Sequence, residues 1–263
     1  MAPYTPLPQT KARRLVDRLS QASEVGTAND VVLRRLEQEA QQLMHADVVG
    51  AHTVLGGVAS LRWDLDRVRH HFRIALQHLD AARTHNNYAV ALSNVEELQV
   101  AYEEVSTAHD RAPDDKSFLE HAIKLSAHAG RFADGRRLCE RWNALAPDTP
   151  HPLTPWMTRL ANAVESNVFT EGSVQRLLGI MSELPPCERA ESRQRNDHVR
   201  TAATATWEDA KEPGSFLHEV LVDATTPDAA RLNAMFVDRV ISQADLMEDP
   251  GYHFVPVFIG ARV

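Results

Sequence analysis

Cysteine is almost missing from this chain: Cys139 and Cys187 are the only two in 263 residues, and they form no CxxC pair. That excludes a dense disulfide scaffold and suits a reducing compartment, with both thiols packed in or near a core. Long apolar runs are also missing, since no stretch approaches the about 18 apolar residues of a membrane span. The first residues, MAPYTPLPQTKARR, lack the apolar segment of a secretory signal, so the expectation is a soluble cytoplasmic protein. Excess positive charge is absent too. A net charge of -8 argues against general attraction to nucleic acid or an anionic membrane. Aromatic residues make up only 6%, whereas Ala, Leu, Arg, Glu and Gln are frequent, which favours helix. With 43% apolar and 24% charged residues the composition is globular, not disordered.

The motifs of several chemistries are absent as well. There is no HExxH, no Cys/His cluster with zinc spacing and no GxSxG. Gly56-Gly57 lacks the following lysine and the preceding strand of a phosphate loop. The 13 histidines include His71, His78 and His85 at intervals of seven. Seven residues are two helical turns, roughly 10 Å, too far for one ion to bridge directly. Neither a metal site, a cofactor site nor a catalytic residue is expected. The acidic pairs Glu96-Glu97 and Glu103-Glu104 read as solvated helix faces, and so does the basic cluster Lys11, Arg13 and Arg14.

What is present is a repeat. Leu55, Gly56, Ala59, Val68, Phe72 and Ala75 mix large and small residues at helical intervals. The same intervals join Tyr88, Ala89, Leu92, Ala101, Val105 and Ala108, with Pro113 closing the unit. They join Ala122, Ile123, Ser126, Gly135, Cys139 and Trp142, closed by Pro147, and after a longer step Leu160, Ala161, Val164, Ser173, Leu177 and Ile180, closed by Pro185. A small residue at a fixed point lets a neighbouring helix approach closely, and a large one fills the space beside it. Gly56, Gly57 and Ala59 therefore mark a close crossing of one helix on its partner, while Phe72 and Ala75 face the next unit.

A period near 34 built from paired amphipathic helices resembles the tetratricopeptide repeat family over roughly residues 49–186. Trp156 stands where that family often has tryptophan, and Gly130-Arg131-Phe132 looks like its turn between two helices. The first unit has Trp63-Asp64-Leu65-Asp66 at that turn and Asp80 in place of the closing proline. The third reverses the large–small order at Ala122-Ile123 and puts Trp142 at a usually small position. Pro147, Pro150, Pro152 and Pro155 mark an inserted connection before the fourth.

The resemblance implies a concave groove lined by the first helix of each unit, holding an extended peptide or a partner helix. Its residues here would be Arg83, Asn86, Asn87, Val90 and Asn94 in the second unit, His121, Lys124 and His128 in the third, and Arg159 and Asn162 in the fourth. That set is amide-rich and locally basic. Asn offers a donor and an acceptor to a peptide backbone, and Arg or Lys holds a carboxylate. Asn94 and Asn162 stand out because Asn is a poor helix former. Thr53, Gly57 and Ser60 form the bland groove of the first unit, packed against the N-terminal hairpin.

Residues 10–24 and 29–47 read as two helices with Asn29 and Asp30 as N-caps and a break at Gly26; this hairpin over 1–48 is a cap on the array. Residues 187–212 read as a polar helix or linker with a weak apolar face of Val199, Ala202, Ala203 and Trp207. Over 213–263 the pattern is strand (216–223), helix (228–244) and strand (253–263). The fold class is thus mainly α: a tetratricopeptide-like helical superhelix with a small C-terminal β-α-β element. Two strands leave unpaired edges, and Pro256 places the last at an edge or a bulge. Completion by a homodimer mate is expected, with packing on the last repeat helix through Trp207 as the competing solution. The expected function is a cytoplasmic adaptor that binds a protein or peptide in the groove. The alternatives are a peptide-sensing regulatory protein and an enzyme of unknown type with its site at the C-terminal element.

Overall fold

The computed structural model describes residues 11–24, 28–183, 201–208, 216–242 and 254–262. Gly26, Pro185, Cys187 and the stretch 187–200 lie outside them. The chain is mainly helical and divides into two compact units, Met1–Phe118 and Leu119–Val263.

In the first unit α1 (Lys11–Glu24) and α2 (Asp30–Leu43) precede two hairpins, α3 (Val48–Leu61) with α4 (Leu65–His78) and α5 (Ala82–Asn94) with α6 (Leu98–Arg111). Asn29 caps α2, its side chain accepting from Val32 N at 3.1 Å. Leu15, Leu19, Leu33, Leu36, Ala40 and Leu43 pack with Val54, Leu55 and Val58 into one core. The apolar stripes of α1 and α2 are thus covered by α3. Glu37 of α2 adds a charged clasp, accepting from Arg62 (2.8 Å) and Arg67 (2.6 Å).

The repeat register shows in burial. Leu55, Ala59, Val68, Phe72 and Ala75 are buried, and so are Ala89, Leu92, Ala101, Val105 and Ala108. Phe72 serves two neighbours. Its ring lies over Gly56 of its own hairpin, where a Cβ would come within 2.5 Å, and it stacks on Tyr88 of the next, centroids 4.9 Å apart. Gly57 faces α1 instead of α4, with Leu19 Cδ2 2.5 Å from where its Cβ would be. The two adjacent glycines therefore serve different contacts.

In the second unit α7 (Lys116–His128), which begins at the end of the first, pairs with α8 (Phe132–Leu145), and α9 (Thr154–Glu165) with α10 (Glu171–Glu183). Ile123, Phe132, Cys139, Met157, Leu160, Phe169, Val174 and Leu177 share its core. The inserted connection explains Trp142. Its indole Nε1 donates to Thr149 O at 3.1 Å and its ring meets His151 edge-on at 5.3 Å. Asn143 holds the same loop, accepting from His151 N (2.8 Å) and donating to Thr154 Oγ1 (3.2 Å). A large side chain at a usually small position is the support for the extra residues.

The four hairpins between α3 and α10 turn the same corner. Trp63, Glu96, Gly130 and Asn167 take positive φ of 57°, 62°, 65° and 55°. The following amide reaches back five residues each time: Asp64 N to Ala59 O (3.0 Å), Glu97 N to Leu92 O (3.0 Å), Arg131 N to Ser126 O (2.8 Å) and Val168 N to Ala163 O (2.9 Å). These are Schellman caps, which satisfy the last carbonyls of the first helix with main-chain donors.

Beyond α10, within the range 187–212 read as a polar helix or linker, the described residues 201–208 are a strand instead. Thr201–Glu208 is strand β1, antiparallel to β2 (Phe216–Thr225). Threonines 201, 204 and 206 are β-branched and suit a pleated chain better than a helix. Helix α11 (Thr226–Ile241) leads to β3 (Phe254–Arg262), which runs parallel to β2 in the order β1-β2-β3. A parallel pair requires such a crossover. The sheet thus receives its third strand from its own chain. Pro256 stands opposite His218 on edge strand β3, where a missing donor costs least. Ala229, Leu232 and Phe236 of α11 are buried in the core that holds Val174, Leu177 and Ile180 of α10.

Candidate functional site

A cavity of about 470 Å³ opens in the first unit. Its walls come mainly from helices that begin the hairpins, and Phe72 of α4 also lines it. Helix α5 contributes Arg83, Asn86, Asn87, Val90 and Asn94, a strip spaced at three, four and seven residues, and α3 contributes Thr53, Gly57 and Ser60. Facing them are Arg13, Asp17, Ser20 and Ser23 of α1, and Asp115, Ser117 and Phe118. The volume falls in the range of ligand pockets, about 300–1,000 Å³.

The polar groups differ in how they are held. Asn94 Nδ2 donates to Ser60 Oγ (3.1 Å), and Ser60 Oγ donates to Gly57 O (2.9 Å). Asn94 is therefore a brace between α5 and α3 as well as part of the lining. Arg13 Nε donates to Asp17 Oδ1 at 3.0 Å. Asp115 accepts from Ser117 Oγ (2.6 Å) and Ser117 N (2.9 Å), and these bonds hold its carboxyl below its ordinary value. Arg83 is exposed in the first turn of α5, which carries no acidic residue and no side-chain cap. Among the described residues Arg83 has no ion-pair partner. That corner is the positive pole of the cavity.

The sites expected on the second unit look different. His121 is pushed down to about 4 by burial and then by Lys124, and burial lowers His128. Both rings are neutral near pH 7. Lys124 Nζ pairs with Glu120 Oε1 at 2.7 Å. Asn162 Oδ1 accepts from Arg136 Nη1 (3.2 Å), whose guanidinium also binds Glu165. Arg159 is exposed. The expected local excess of positive charge is reduced there by neutral rings and by pairing.

Arg13, Asp17, Ser20, Asp115 and Ser117 are lining residues that the repeat pattern does not single out. The signal that could have found them is the offset between α1 and α3, close to that between later units, which makes α1 the first helix of a further hairpin. Arg13, Asp17 and Ser20 then fall on its inner face. Elsewhere in the unit, the His85 ring lies between Glu104 (Nδ1, 2.6 Å) and Asp80 (Nε2, 2.7 Å), and Asp80 also binds Arg111 at 2.7 Å. The residue in place of the first unit's closing proline thus anchors an ion network. Both ring nitrogens of His85 are thus engaged within the fold.

Among the described residues no cluster of three or more His, Cys, Asp or Glu side chains is arranged to hold a metal ion. No helix among them is long and apolar enough to cross a membrane. The chain matches no protein-family model and no curated protein.

Proposed function

We propose that this chain is a cytoplasmic peptide-binding adaptor whose tetratricopeptide-like array carries the ligand in the groove of its first helices. The observation that carries the reading is that Arg83, Asn86, Asn87 and Asn94 line one cavity of about 470 Å³. A short extended peptide segment suits the space and the chemistry. Asn86 and Asn87 present amide donors and acceptors to main-chain groups, and Arg83 offers a counter-charge for a carboxylate. Asn94 supports the wall through Ser60. His121, Lys124, His128, Arg159 and Asn162 are proposed, within the second unit, as contacts of secondary weight. The strand–helix–strand segment is its appended C-terminal element. The two outer strands of the sheet, β1 and β3, also offer main-chain edges to a second copy.

The test is selection of peptides on the full chain from a random display library, followed by titration against Arg83→Ala/Asn87→Ala. These residues are chosen because Asn94, unlike them, braces another helix through its bond to Ser60. The expected result is at least tenfold weaker binding with unchanged helical signal and melting temperature. Selected peptides that bind wild type and variant equally overturn the reading. Light scattering at rising concentration tests the edges; a full chain that stays monomeric removes the homodimer.

A further inference from the structure

His52 of α3 and His71 of α4 are both buried, 8% and 9% exposed, with their Nδ1 atoms 3.0 Å apart. The rings stand 5.2 Å apart at 48°. A bond between two Nδ1 atoms requires one ring to carry its proton on Nδ1 and the other to leave Nδ1 bare with its proton on Nε2. If the bare nitrogen takes a proton from solvent, that ring becomes positive and its new N–H faces the N–H of its neutral neighbour, with no acceptor between them. The hydrogen bond is lost, and two opposed N–H groups, one of them on a charged buried ring, replace it.

We propose that the His52–His71 pair is an acid-sensitive latch that joins α3 to α4 through one proton and releases them when a second proton binds. The surroundings favour the latched form near neutrality. His70 and His78 of α4 bear on His52; Arg67 and His70 of α4 and Glu37 of α2 bear on His71. Glu37 is the only anion in that set, and Arg62 and Arg67 already occupy it. Burial lowers His52 from its ordinary value, and burial first, with His52 next, pushes His71 down to about 4. The latch bears on the binding wall because Thr53, Gly57 and Ser60 on the same helix α3 line the cavity.

The sign follows from linkage. Below 6.5 the unfolded chain protonates these rings while the folded chain resists. Stability is complete above 6.5, falls with falling pH, and for His71 levels off near 4. Each such ring lowers the equilibrium constant for closure by up to about tenfold per pH unit across that window.

The experiment is hydrogen exchange of the full chain, resolved by peptide and corrected for the intrinsic pH dependence, from pH 7.5 to 4.5. Protection of 48–78 is expected to fall at least tenfold in the wild type and to be nearly flat in His52→Asn/His71→Gln, which retains hydrogen-bonding side chains that do not titrate. An equal fall in the variant, or no fall in the wild type, overturns the latch. Because the variant is exposed to misfolding, long-range 1H–15N spectra of the wild type at pH 7.5 supply an independent test. One of the two rings must be the Nδ1–H tautomer; two Nε2–H rings overturn the latch.

Discussion

Gly56 lies beneath the ring of Phe72 so closely that a Cβ at position 56 would stand 2.5 Å from one ring carbon. Phe72 is itself 1% exposed and stacked on Tyr88, so the ring has little room to withdraw. Gly56→Leu is therefore expected to destabilise by about 1–3 kcal/mol through overpacking. Urea unfolding gives the value. A double-mutant cycle of Gly56→Ala with Phe72→Leu should recover part of the loss because the two residues touch. Strict additivity would mean that this contact does not decide the spacing of α3 and α4.

That contact also shows what a sequence can and cannot reveal. The positions that recur with the repeat are nearly all buried because one geometry is reused, and reuse leaves a period to read. Features that occur once leave none. Trp142 breaks the pattern of small residues, and its reason lies in a loop that hangs on its indole. Thr201–Glu208 suggests a helix by its alanines, whereas its partner in β2 follows only after residues 209–215. Local propensity does not register that pairing. Arg83, Asn86, Asn87 and Asn94, which the family resemblance puts on one face of α5, line the cavity together. Their opposite wall on α1 is not legible, because α1 lies before the four units in which the large–small intervals recur. The His52–His71 meeting is invisible, since nothing in the spacing of two histidines on successive helices fixes their ring geometry.

Gly130 holds φ at +65°, and a Cβ there would sit 3.0 Å from Val174 Cγ1. Gly130→Ala is expected to cost about 1–2 kcal/mol, the usual penalty of a left-handed conformation for an L-residue. Glu96, at the equivalent corner with φ 62°, should respond in the opposite direction, with Glu96→Gly gaining up to about 1 kcal/mol by relieving the same penalty. Chemical denaturation of both variants checks the pair. Shifts of the same sign would show that packing outweighs backbone conformation at these corners.

Phe236 of α11 is 6% exposed within the core that contains Val174, Leu177 and Ile180. Phe236→Ala should cost about 3–5 kcal/mol, as for other buried phenylalanines. Hydrogen exchange should show the loss in α10 as well as α11. An effect confined to 226–262 would mean that the C-terminal element is carried by the array without supporting it.

Burial lowers His121, His128 and His151 of the second unit below their ordinary value of 6.5, His121 to about 4. The folded unit keeps these rings neutral while the unfolded chain charges them, so its stability is full above pH 6.5 and falls as pH drops below it. Melting temperature measured from pH 7.5 to 4.5 should decline. In hydrogen exchange over the same range, His121→Gln should flatten the decline over 119–183 while leaving that over 48–78 unchanged. If His121→Gln leaves the slope for 119–183 untouched, that ring is not neutral in the folded unit.

The four corners at Trp63, Glu96, Gly130 and Asn167 are closed by main-chain atoms, so an indole, a carboxylate, a hydrogen and an amide occupy equivalent places. A joint written in the backbone is indifferent to the lettering around it. Hairpins of this kind are interchangeable parts: a loop exchanged from one corner to another should keep the angle of the bend. A lineage can rewrite the faces of such an array while its carpentry stays the same.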